Sequence, residues 1–114
     1  MQRIERDALR GHLEAMVLAS LDRGEGHGFE LMRRLEALGS GALTLKEGTL
    51  YPVLYRLEEA GLVRGEWEND SQGRRGPRRR IYRLTAKGRR ELARRREDWS
   101  HFVAVVGRIL GAPA

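Results

Sequence analysis

The chain has 114 residues and a formal net charge of +6, from 22 lysines and arginines against 16 aspartates and glutamates. That length accommodates one ordinary core, and the absence of cysteine excludes disulfides, thiolate nucleophiles and thiolate metal sites. The basic surplus favours polyanionic partners, nucleic acid ahead of a membrane surface; with no bilayer-length apolar run and no secretory leader, the expected compartment is the cytoplasm.

In chain order, residues 1–8 are polar and read as a flexible arm. A first helix is expected from about Leu9 to Leu21, with Leu9, Leu13, Met16, Val17 and Leu21 on one face. Arg23-Gly24-Glu25-Gly26-His27-Gly28 reads as a turn. A second helix, from about His27 to Leu38, would bury Phe29 or Leu31 with Met32, Leu35 and Leu38. Gly39-Ser40-Gly41 ends it, and His27 is placed to cap or pack its start. A third helix, 47–60, carries Leu50, Val53, Leu54 and Leu57 at the spacing of a buried stripe. Its other side bears Thr49, Tyr51, Pro52, Tyr55, Arg56 and Glu59, and Gly61 stops it. Pro52 is comfortable only in a first turn. A helix starting at Gly48 or Thr49 accommodates it, whereas a start at Glu47 predicts a kink.

Two strands follow, roughly Leu62 to Glu68 and Arg79 to Leu84, around a loop rich in Gly, Arg, Asn and Asp. Tyr82 and Leu84 share one face of the second strand, and Trp67 reads as a packing residue under the sheet. Thr85 caps a long last helix, 86–110, with Leu92, Trp99, Phe102, Val106 and Ile109 as its stripe. Residues 111–114 read as a loose tail. The fold class is mainly α with a small β-hairpin, a winged helix-turn-helix over 9–85 followed by a single C-terminal helix.

Four stretches carry a family resemblance: His27-Gly28-Phe29-Glu30-Leu31, Glu47-Gly48-Thr49-Leu50-Tyr51-Pro52, Arg56 through Val63, and Tyr82-Arg83-Leu84-Thr85 with Gly88. In this order they resemble the PadR family of bacterial transcriptional regulators, in its short form with one C-terminal helix, over about Leu13 to Leu110. The chain departs from that pattern at Lys46, where the family often has serine or threonine, and at Phe29, where it often has tyrosine. The resemblance implies a homodimeric repressor that binds a near-palindromic operator in double-stranded DNA. The third helix would enter the major groove, the wing would lie along the flanking backbone, and the last helix would make the dimer contact.

The candidate DNA-binding residues on and before the third helix are Lys46, Gly48, Thr49, Tyr51, Pro52, Tyr55 and Arg56. The helix start reaches deepest into a groove, which favours Lys46 and Thr49, while Gly48 permits close approach. Alternatively, Tyr51 packs on the core and Arg56 pairs with a carboxylate. In the wing, Arg74, Arg75, Arg78, Arg79 and Arg80 suit bidentate phosphate contacts or a narrow minor groove; the plainer alternative is a solvated loop. Leu92, Trp99, Phe102, Val103, Val106 and Ile109 are candidates for the dimer seam. From multidrug-sensing relatives, the resemblance also implies that Trp99 stacks on a planar aromatic ligand in a cavity between subunits.

His12, His27 and His101 have no metal-ligand spacing, no cofactor motif is present, and no serine, histidine and carboxylate form a nucleophile pattern. An enzyme is therefore not expected. Two other functions remain: a sensing module with DNA contact secondary, and an RNA binder. The latter is disfavoured because Tyr51 and Tyr55 lie on a helix and not on an open sheet.

Overall fold

The computed structural model describes residues 11–69 and 76–111. Their elements are α1 (Leu13–Asp22), β1 (Gly26–His27), α2 (Gly28–Leu38), α3 (Glu47–Glu59), β2 (Val63–Trp67), β3 (Arg80–Leu84) and α4 (Ala86–Leu110). The three strands form an antiparallel sheet in the order β1-β3-β2, with Gly65 facing Tyr82 across the wing hairpin. This is the mainly helical, winged architecture expected from the sequence.

Helix α1 is shorter than the periodicity predicts. Gly11 has φ +86° and His12 is the N-cap, so a left-handed residue interrupts any helix running on from Leu9, which itself lies outside the described residues. Leu18 is fully buried although it lay outside the expected stripe, and Ser20, also buried, donates its hydroxyl to the Val17 carbonyl at 2.7 Å. The expected turn after α1 contains a strand: Gly26 and His27 pair with Tyr82 and Ile81.

Helix α2 starts with a capping box. The His27 Nδ1 accepts from the Glu30 N–H, and the His27 N–H donates to the Glu30 carboxylate. Leu31 and Leu35 are buried, so of the two alternatives Leu31 and not Phe29 enters the core, whereas Leu38, expected there too, is exposed. Arg34 fixes α2 to the end of α1 and to the turn that follows it by donating to the Ser20 and Gly24 carbonyls, each at 2.7 Å.

Helix α3 begins at Glu47, so Pro52 lies beyond the first turn and the Gly48 carbonyl lacks its usual i+4 donor. Leu50, Val53, Leu54 and Leu57 are all buried, as their spacing predicts. The end of α3 is closed by the beginning of α4. Lys87 Nζ donates to the Ala60 carbonyl at 2.9 Å, the Thr85 hydroxyl to Gly61 at 2.7 Å and the Thr85 N–H to Leu62 at 3.1 Å. The same Thr85 oxygen caps α4 by accepting from the Gly88 N–H. Gly88 is buried so tightly that a β-carbon there would collide with the Leu62 carbonyl oxygen. Within α4 only Gly88 and Leu92 are buried, and Gly111 ends the helix in the left-handed region.

Candidate nucleic-acid interface

One side of α3 belongs to the core, and the opposite side presents Gly48, Pro52, Tyr55 and Glu59 outward. Lys46, at the N-cap, is exposed and makes no side-chain cap, so the first N–H groups of α3 are left to solvent or to an anion. Thr49 is half-buried, and Arg56, two turns further along the same flank, faces Glu14 of α1. On the other flank Tyr51 leans over the start of α2, where a β-carbon at Gly28 would strike its hydroxyl. Gly28 thus lets α3 approach α2 closely, and Tyr51, still 42% exposed, has one edge against the protein. At the far end Glu59 raises the Tyr55 hydroxyl above its usual pKa, first through a hydrogen bond and then through its charge. Glu58 and Glu59 close the C-terminal end of α3 beside Arg56, and Lys46 precedes Glu47 at its start.

The wing arginines that fall within the described residues are Arg78, Arg79 and Arg80; Arg74 and Arg75 lie outside them. Arg78 donates through Nε and Nη2 to the Glu68 carbonyl at 3.2 and 3.1 Å, fastening the base of the hairpin. Arg79 reaches back to His27, with Nη1 3.0 Å from Nε2. Arg80 is held most firmly. Its Nη2 donates to Glu58 on α3 at 2.6 Å, and its guanidinium lies over the Trp67 ring at 5.4 Å and the Tyr82 ring at 6.0 Å. Trp67 therefore forms part of an exposed clamp, at 57% exposure, and does not pack under the sheet as its alternation suggested. Tyr82 is buried in the core, and burial raises its hydroxyl pKa.

Behind α3 is a chain of charges whose links between helices no local sequence signal announced. Glu14 of α1 accepts from Arg56 of α3 at 3.4 Å and from Arg95 of α4 at 3.1 Å. Arg95 in turn donates to Glu91 at 2.7 Å, and Arg94 joins Glu91 to Asp98. Hydrogen bonds from Arg94 and Arg95 lower the Glu91 carboxyl from its usual 4.5 to about 2. The partners of Glu14 are far away in sequence, so only the fold brings them together. It realises the carboxylate pairing considered for Arg56.

Between α1 and α4 runs an open groove of about 730 Å³ whose walls include Met16, Ala19, Leu92, Arg95, Trp99 and Phe102. Trp99 and Phe102 stack with ring centroids 5.8 Å apart, and His12 meets Trp99 edge-on at 5.2 Å. Leu92 is the buried floor. Trp99, Phe102, Val103 and Ile109 are exposed, and Val106 is half-buried. Among the described residues no group of histidines and carboxylates could hold a metal ion, and no helix is long and apolar enough to cross a membrane.

Comparison with known proteins agrees with this geometry. The family described as "Transcriptional regulator PadR-like family" matches residues 17–94. A solved transcriptional regulator from Clostridium thermocellum superposes with a TM-score of 0.79 at 25% identity, covering 90% of this chain and 96% of that one. A PadR family transcriptional regulator from Eggerthella lenta gives 0.76 at 31% identity over 94% and 88% of the two chains. A PadR-like transcriptional regulator from Bacillus cereus gives 0.76 at 29% identity over 94% and 99%.

Proposed function

The chain belongs to the PadR-like family of transcriptional regulators, and on that premise we propose that it is a homodimeric repressor acting on a near-palindromic operator in the cytoplasm. Residues 9–85 form the DNA-binding unit, and helix 86–110 is the dimerisation element. Each protomer inserts α3 into a major groove, with Lys46, Gly48 and Thr49 deepest and Tyr51, Pro52, Tyr55 and Arg56 along the edge. The wing follows the flanking backbone through Arg74, Arg75, Arg78 and Arg79, and Arg80 joins it if it exchanges Glu58 for phosphate. The exposed strip of Trp99, Phe102, Val103, Val106 and Ile109 meets a second copy, and a planar aromatic ligand seated against Trp99 releases the operator.

The observation that carries the reading is the division of α3: four buried apolar residues on one side, and on the other an exposed polar face with a cationic start, beside a wing bearing arginine. Equilibrium binding to duplex DNA across a salt series tests it. If the dimer neutralises about 6 to 10 phosphates, affinity falls by roughly three to five decades between about 50 and 200 mM salt. Selection from random duplexes should then return paired half-sites about one helical turn, or a small multiple, apart. Absence of duplex binding at low salt refutes the reading. A complex that ignores salt removes the phosphate contacts from it.

A further inference from the structure

Resting on that reading, we propose that Glu14 is a positioning residue that withholds Arg56 from DNA and links this hold, through Arg95, to the groove beneath α4. The geometry is a shared carboxylate. Oε2 of Glu14 faces Nε of Arg56 on α3 at 3.4 Å, and Oε1 faces Nη2 of Arg95 on α4 at 3.1 Å. One negative charge thus serves two guanidinium groups on different elements, and weakening either pairing strengthens the other.

The hold on Arg56 is loose enough to be exchanged. Its side chain is 55% exposed and makes a single long contact, the kind of surface pair that contributes little. A phosphate can offer bidentate acceptors instead. The hold on Arg95 is firmer, because Glu91 on the same helix accepts from its Nε at 2.7 Å. Arg95 also lines the groove with Trp99 and Phe102. A planar aromatic ligand seated in that groove against Trp99 meets the Arg95 side chain and alters its claim on Glu14. The state of the groove is thereby converted into the availability of one cation beside the recognition helix.

Anisotropy titrations with a labelled random-sequence duplex over a salt series separate this role from a structural one. Glu14→Gln should bind about two- to five-fold more tightly and steepen the salt slope by about 0.9 per protomer, as one more phosphate is neutralised. Arg95→Gln should act in the opposite sense, because Glu14 then serves Arg56 alone. In an Arg56→Gln background both effects should disappear. Glu14→Gln and Arg95→Gln moving binding in the same direction indicates a merely structural cluster and overturns the proposal. A Glu14→Gln gain that survives in the Arg56→Gln background reports bulk charge and also overturns it. If Arg95→Gln does not fold, the Glu14 and Arg56 arms decide alone. Wild-type protein that binds no duplex refutes the regulator reading as well, whereas wild-type binding unaltered by Glu14→Gln refutes only this inference.

Discussion

A methyl group at Gly65 would stand 2.7 Å from Nε of Arg80 and 3.0 Å from Cζ, so the glycine leaves room for the guanidinium to lie across the strand between Trp67, Tyr82 and Glu58. Gly65→Ala should therefore leave urea denaturation nearly unchanged, because the gain of about 0.5–1 kcal/mol from alanine in a strand is offset by displacement of the guanidinium. In an Arg80→Ala background the same change should stabilise by about 0.5–1 kcal/mol, and equal effects in both would dissociate the two residues. Glu91 gives a second prediction. Its folded carboxyl titrates near 2 against a usual 4.5, so its contribution is complete above pH 4.5 and is lost as pH falls towards about 2. Thermal melting across that window should fall more steeply for wild type than for Glu91→Gln; parallel curves would remove the Arg94 and Arg95 bonds as the cause.

Two glycines in helices test what the elements require. At Gly88 helix propensity favours alanine by about 1 kcal/mol, but the new methyl meets the Leu62 carbonyl and the Leu84 side chain. Backbone cannot yield as a side-chain tip does, so Gly88→Ala should destabilise by roughly 2–4 kcal/mol in chemical denaturation. At Gly48 nothing lies within 4 Å of an added β-carbon. Gly48→Ala should raise stability by about 0.5–1 kcal/mol while weakening operator binding, since the fold gives no reason for a glycine there and close approach to DNA does. Higher stability with unchanged binding would take Gly48 out of the interface. The helices were legible in the sequence because Leu50, Val53, Leu54 and Leu57, and the caps at His27 and Thr85, are local signals. Strand β1 was not, because two residues carry no periodicity and its pairing depends on Tyr82 and Ile81 far along the chain. Alternation could not say which face of β2 is covered, so Trp67 was misplaced. The wing arginines were visible as a charge run, but their partners Glu68, His27 and Glu58 were not.

As a whole, the molecule is long for its size. Its extents are 56 × 32 × 20 Å and its radius of gyration is 15.9 Å, against about 13 Å for a compact chain of roughly this length. Helix α4 buries nothing fully after Leu92, and an apolar strip so exposed is a strong reason to associate. Sedimentation equilibrium should give twice the chain mass for wild type and a single-chain mass for Phe102→Asp, with operator affinity falling alongside; a wild-type monomer would refute the seam. The hydrogen bonds from Lys87 and Thr85 to the carbonyls of Ala60, Gly61 and Leu62, just past the end of α3, would give the proposed association a mechanical meaning. With the turn after α3 bonded to the root of α4 at three points, a rotation of α4 would be carried to α3 as by a bell crank. Over an arm of about 38 Å, roughly 5° of rotation displaces the far end by about 3 Å, enough, in the proposed dimer, to spoil the fit of its two α3 helices to a fixed stretch of duplex.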